Sequence, residues 1–317
     1  MTEKRPMVIL TGPTAVGKTA LSIELAKKIN GSIISADSMQ VYRHMDIGSA
    51  KVMPEEMDGV RHYLIDEFEP DEEFHVVKFV ERAKEHLEEI YAEEKIPIIA
   101  GGTGFYIQAL LYDIDFTEQE CDEAYRAELE LLAAEKGAHY LHNMLREVDP
   151  ASADAIHANN IKRVIRALEF YHLSGKRISE HNEKEREKTS PYHFAYFVLT
   201  DERPHLYANI DKRVDLMIEQ GLVDEVQKLK NMGFHRDMVS MQGLGYKEIL
   251  DYLDGKTTLE EAIYIIKRET RHFAKRQLTW FRRERDVIWL DKQAYDYQDA
   301  KILDSMINIL KEKTIIN

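Results

Sequence analysis

The chain has 317 residues, 44% hydrophobic and 32% charged, with 15 glycines and 8 prolines, which excludes collagen-like, low-complexity and wholly disordered chains and leaves room for two domains or one core with an insertion. No apolar run approaches the ~20 residues of a bilayer span. The opening MTEKRPMVIL is too short in apolar residues for a signal peptide, and the single cysteine, Cys121, can form neither an internal disulfide nor a structural zinc site, so a cytoplasmic protein without a membrane partner is expected. The net charge of −14 taken alone argues against nucleic acid, but charge is segregated. Residues 55–95 hold 15 acids against 5 bases and residues 113–135 hold 9 against 1, whereas residues 267–285, KRETRHFAKRQLTWFRRER, hold 8 bases against 2 acids.

In chain order, Met7–Thr11 reads as a strand, followed by a glycine-bearing loop and a helix over ALSIELAKKI. Ser32–Ala36 and His62–Ile65 read as further strands. Phe74–Glu94 reads as a helix with Val76, Val80, Ala83, Leu87 and Ile90 on one face. Ile96–Ala100 is a strand entering the turn Gly101-Gly102-Thr103-Gly104. Strands alternating with helices predict an α/β fold, a parallel sheet with helices on both faces. From Asp113 the pattern changes to successive helices, including Asp122–Lys136 and Asn160–Leu173, which predicts a helical insertion over 113–190 between core segments 1–112 and 191–317. The polar Gly175–Pro191 reads as a mobile loop, Phe194–Leu199 as the resumed sheet and Val287–Leu290 as the last strand. In the long helix before it, Ala262, Ile266, Phe273, Gln277 and Phe281 share one side. Arg268, Arg271, Lys275 and Arg282 share the other, as a phosphate-tracking stripe or a solvated face.

Gly12, Pro13, Thr14, Ala15, Val16, Gly17, Lys18 and Thr19 match G-x-x-x-x-G-K-[ST] between the predicted strand and helix, as a phosphate loop requires. The glycines let backbone N–H groups converge on anionic oxygens at a helix N-terminus, Lys18 adds a point charge and Thr19 can ligate Mg²⁺. The motif specifies a polyphosphate without naming a reaction: ATP and GTP present these oxygens, and so does a diphosphate ester. The second strand delivers Asp37-Ser38-Met39-Gln40 to the carboxyl end of the sheet, where open α/β sheets place ligands. By position Asp37 is a Mg²⁺ ligand, a general base or a turn aspartate.

The segments GPTAVGKT, SADSMQVYRHMDIGSAK, HYLID, GGTGFYIQALL, HANNIKRVIRALE, QGLGYKE and KRQLTWFRR, in this order over nearly the whole chain, strongly resemble the bacterial tRNA dimethylallyltransferases, also called tRNA isopentenyltransferases. The resemblance implies a P-loop NTPase-like core and transfer of a dimethylallyl group from dimethylallyl diphosphate to N6 of the adenine immediately 3′ of the anticodon. It implies that Asp37 is the base and that Lys18, Thr19 through Mg²⁺, the loop amides, Arg213 and Arg203 hold the diphosphate. It further places Asp37, Ser38, Met39, Gln40 and Thr103 by the target base, and Arg126, Lys162, Arg163, Arg166, Gln242, Gly245, Tyr246 and Lys247 along the tRNA anticodon stem-loop. A flipped adenine demands a deep channel. The chain is expected to act as a monomer. The competing readings are a P-loop small-molecule or nucleotide kinase, prenylation of free adenine nucleotides and an ATP-dependent RNA-binding switch.

Overall fold

The structure, a computed structural model, describes residues 4–116 and 122–317, so Cys121 lies outside the described residues. The chain divides into two compact units, Met1–Leu110 with Pro191–Asn317, and Leu111–Ser190. It begins β1 (Arg5–Thr11), α1 (Lys18–Ile29), β2 (Gly31–Ser35), β3 (His62–Tyr63), α2 (Val76–Ala92), β4 (Ile96–Gly101) and α3 (Gly104–Leu111). The insertion carries α4 (Glu123–Lys136), α5 (Ala138–Val148), α6 (Pro150–Ala155), α7 (Ile161–Ser174) and α8 (Ile178–Glu187). The first unit then resumes with β5 (Tyr192–Thr200), α9 (Arg203–Glu219), α10 (Leu222–Asn231), α11 (Tyr246–Leu253), α12 (Leu259–Phe281), β6 (Val287–Asp291) and α13 (Asp299–Glu312).

In the first unit the six strands form one parallel sheet in the order β3-β2-β4-β1-β5-β6. Met7, Val8, Ile9 and Leu10 of β1 are all fully buried, so this strand is apolar on both faces, as a central parallel strand covered by helices must be. Val8 lies opposite Ile98 of β4 and Ala195 of β5. Because β2 pairs with β4 and β4 with β1, the turns after all three strands leave the same carboxyl edge of the sheet side by side. Gly101 permits the closest of these approaches, since a Cβ there would stand 2.3 Å from the Ala36 carbonyl oxygen. β3 stops at Tyr63 instead of reaching Ile65 because Leu64 takes a left-handed φ of 60°. β6 is the last strand, as expected, and after it α13 buries Ile302, Leu303, Met306 and Leu310 and packs against α1.

The second unit is a helix cluster around Leu129, Leu141, Leu145, Val164, Ile165 and Leu168. The segment expected as a mobile loop contains α8. Its polarity is that of a helix needing little apolar cover, because Asp149 anchors it: Oδ2 accepts from Ser179 N–H at 3.0 Å and Oδ1 from the Ser179 hydroxyl at 2.7 Å. The same carboxylate caps α6 through Ser152 N–H and accepts the Ser152 hydroxyl. Burial opposes its ionisation, but these four bonds prevail and hold the acid below its ordinary range.

Candidate active site

The phosphate loop leaves β1 with Gly12 at φ 151°, where a Cβ would meet Leu199 O at 2.4 Å, and enters α1 through Gly17 at φ 96°. Both positions are open to glycine alone. Lys18 turns its ammonium onto the carbonyls of Gly12 (3.0 Å) and Pro13 (2.8 Å). Burial, then the positive charge of Arg213, push its pKa down to about 7 against the pull of Asp37. Part of the Lys18 surface stays accessible, so it is the ammonium end that is desolvated. Arg213 comes from α9 and donates from Nη1 to the Thr14 hydroxyl at 3.2 Å. Its pKa is also lowered by burial, opposed by Asp37.

Thr14, Lys18, Thr19, Asp37, Gln40 and Arg213 line one cavity with Gly101 and Gly102. Within it, Asp37 is a turn residue as well as a chemical candidate: Oδ1 accepts from Met39 N–H at 2.8 Å and Gln40 N–H at 3.4 Å, which leaves Oδ2 without a hydrogen-bond partner among the described residues. Gln40 is held by its own amide, which donates to Ala50 O at 3.0 Å. Thr103 donates its backbone N–H to Ala36 O at 3.1 Å, tying the β4 turn to the Asp37 turn. Asp37 and Ser38 are half-buried there, as are Met39 and Gln40.

Several expected residues are placed differently. Arg203 begins α9 and is exposed, outside the cavity lining. Ten residues along an α-helix separate it from Arg213 by about 15 Å and about 80° of rotation, nearly three turns from the arginine that reaches Thr14. Tyr246 is fully buried, with its hydroxyl donating to Glu225 Oε1 at 2.8 Å, and its side chain is therefore not presented to a macromolecule. The Glu225 carboxylate also accepts the N–H groups of Asp46, Ile47 and Gly48, so Tyr246 helps fix the segment following Gln40. Gly245 is buried at the N-cap of α11, Gln242 is exposed and Lys247 is half-buried. In the α12 stripe Arg271 donates to Asp211 at 2.5 Å and Arg268 to Glu269 at 2.8 Å. Phe273, expected in the apolar face, is exposed and lines the cavity, while Ala274 takes the buried place.

In the second unit the completely buried Glu169 receives Arg126 at 2.9 Å and Arg166 at 3.0 Å, together with the N–H of Asp122 at 3.1 Å. Burial opposes its ionisation, but the two guanidinium groups prevail and lower its pKa. Lys162 and Arg163, in the first turn of α7, are exposed.

Two residues that contact the phosphate loop are not among the site residues expected from the sequence. Gln277, counted only as part of an apolar face, accepts Thr14 N–H at 2.8 Å and donates to Gly102 O at 2.9 Å, bridging the phosphate loop and the β4 turn. A glutamine on an otherwise apolar helical face was the available signal. Lys292 Nζ reaches Val16 O at 3.5 Å and Asp299 at 3.1 Å, and nothing local in the sequence marks it. The ensemble offers cations and loop amides to a polyanion, with a carboxylate beside it. Among the described residues no group of three or more His, Cys, Asp or Glu side chains is placed to hold a metal.

A model of the IPP transferase family matches residues 40–284. The chain belongs to that family. The curated IPP transferase relatives named tRNA dimethylallyltransferase include one from Lachnoclostridium phytofermentans, 65% identical over 312 residues, covering 98% of this chain and 99% of the relative. Another, from Clostridioides difficile, is 54% identical and covers 94% and 95%. Among solved structures, the tRNA isopentenylpyrophosphate transferase of Bacillus halodurans aligns with a TM-score of 0.73 at 46% identity over 98% of both chains. A eukaryotic dimethylallyltransferase described as acting on tRNA aligns with a TM-score of 0.78 at 31% identity over 90% of this chain and 74% of its own. The P-loop-like parallel core expected from the sequence is thus the fold of this IPP transferase.

Proposed function

We propose that this chain is a tRNA dimethylallyltransferase, transferring the dimethylallyl group of dimethylallyl diphosphate to N6 of the adenine 3′-adjacent to the anticodon in tRNA and releasing diphosphate. The observation that carries the reading is the meeting of Lys18, Arg213 and the phosphate loop with Asp37 in one cavity, in a chain 65% identical to a protein of that name.

The exocyclic amine of adenine is a weak nucleophile because its lone pair is delocalised into the ring. As N6 bonds to C1 of the donor, the C1–O bond breaks and its electron pair leaves with the diphosphate. One N6 proton passes to Asp37 Oδ2, the oxygen not engaged in the turn. Lys18, Arg213 and the loop amides meet the growing charge on the leaving oxygen, and their desolvation strengthens that interaction. The Thr19 hydroxyl lines the same cavity and is a hard oxygen donor of the kind Mg²⁺ takes beside substrate phosphates. Held by Thr19, Mg²⁺ would supply charge neutralisation of the diphosphate.

In this reading Lys162, Arg163, Arg126 and Arg166 contact tRNA phosphates, with Gln242 and Lys247 adding polar contacts and Ser38, Met39, Gln40 and Thr103 flanking the flipped base. The protein works as a cytoplasmic monomer. No described helix is long and apolar enough to cross a membrane.

The test is incubation of the purified protein with Mg²⁺, unmodified tRNA and labelled dimethylallyl diphosphate, with ATP hydrolysis followed in parallel. The expected outcome is N6-dimethylallyladenosine in the RNA without ATP turnover. Unlabelled RNA with ATP consumed would overturn the reading in favour of a kinase.

A further inference from the structure

The cavity does not end at the charged groups. It continues along a wall formed by Ile33 of β2, Val52 and Ile65. Ile33 and Val52 are only 2% and 4% exposed and belong to the same core cluster as Leu21, Leu25 and Val60, with Ile65 packed against it. Behind this wall is packed core, not solvent.

The polar side chains along the same stretch direct their protons elsewhere. The Ser22 hydroxyl donates to Thr19 O at 2.8 Å, the Ser49 hydroxyl to Met45 O at 2.5 Å and the Ser35 hydroxyl to Gln40 Oε1 at 3.3 Å. His62 engages Val60 O through Nδ1 at 2.9 Å. Burial lowers the His62 pKa, so the ring is neutral at neutral pH. The wall therefore offers apolar surface and lone pairs, and no free donor from these four groups. A hydrocarbon carrying partial positive charge fits that lining, whereas an anion does not.

An allylic diphosphate has both characters. Its diphosphate suits the loop, and its branched chain gains positive charge as the C1–O bond stretches. We infer that Ile33, Val52 and Ile65 form the slot for the donor's hydrocarbon chain and that the packed core behind them restricts the donor to five carbons. The inference rests on the prenyl-transfer reading and names the residues that set chain length. Removing one or two methylene-sized groups from such a wall changes discrimination by roughly 10- to 200-fold.

Two measurements test it. The first uses the unaltered protein and the inhibition constants of inorganic diphosphate and of methyl, propyl, isopentyl and geranyl diphosphate. Affinity should rise from the inorganic ion to the five-carbon ester and fall at ten carbons. Affinity independent of chain length would overturn the slot. The second measures kcat/KM for geranyl against dimethylallyl diphosphate in Val52→Ala and Ile65→Ala. The ratio should rise about 10-fold or more in at least one of them, and an unchanged ratio in folded variants would overturn the assignment of the wall. Because the inhibition series needs no turnover, it reads the slot even if the unaltered protein fails to prenylate tRNA, a failure that would sink the functional reading alone.

Discussion

The phosphate-loop unit and the inserted helices treat buried charge in opposite ways. In the insertion the buried carboxylate of Glu169 is satisfied by two arginines and a backbone amide, and Asp149 by two serines. In the cavity of the first unit Lys18 and Arg213 are desolvated with no carboxylate within ion-pair distance among the described residues, and the pKa of each is lowered. The first arrangement lowers the energy of the folded chain, whereas the second raises it in a way that an anionic substrate relieves. Structural and chemical use of buried charge can thus be told apart by whether the surroundings favour the charged form, as at Glu169 and Asp149, or disfavour it, as at Lys18 and Arg213.

Breaking this contrast is expected to give effects of very different size. Asp37→Ala should slow single-turnover transfer by about 10²–10⁴ while leaving tRNA affinity nearly unchanged; equal loss in both would make Asp37 a tRNA contact and not the base. Lys18→Met should cost at least about 10² in transfer and yet raise the thermal unfolding midpoint of the ligand-free protein. The sign follows from the lowered pKa: below about pH 7 the folded state carries the full cost of a desolvated ammonium. Between there and the ordinary lysine value the unfolded chain binds more protons, so the unaltered protein recovers stability as pH rises. The advantage of the methionine variant should therefore be greatest below pH 7 and fade towards pH 10.5, which scanning fluorimetry across pH will show.

Glu169→Gln sharpens the other side of the contrast. Weakening the shared acceptor of two guanidinium groups should lower stability by about 1–3 kcal/mol in chemical denaturation, with a smaller loss of transfer than at Asp37. Replacing Lys162 and Arg163 together by alanine should leave stability alone and reduce the salt dependence of tRNA binding by roughly two counterions. The smallest effect is expected at Arg203, where alanine should change transfer by less than about twofold. A loss there comparable to that of Arg213→Ala would show that the exposed first turn of α9 does reach the diphosphate.

What the sequence disclosed follows physical range. The phosphate loop, α1 and the Asp37 turn were legible because strand, glycine pattern and helix are contiguous. The outward placement of Arg203 was not, since helical phase relative to a distant loop depends on tertiary packing. Helix α8 reads as a loop because its polar residues match one by composition, whereas Asp149, 30 residues away, holds its start through Ser179. Tyr246 reads as an RNA contact from its motif, whereas its hydroxyl serves Glu225. Gln277 shows the same limit most sharply, because its two partners lie 263 and 175 residues away.

That last separation has a consequence for the order in which a ribosome builds the enzyme. β1 is synthesised first, yet its β5 neighbour arrives only after the whole insertion, and Gln277 reaches Thr14 N–H only when most of the chain exists. The inserted helices, whose contacts are local, can form while the sheet is still open on one side. A nascent chain stopped before Tyr192 would carry β1 as an exposed edge and would lack both Arg213 and the Gln277 bridge, so catalytic competence waits on segments made long after the phosphate loop.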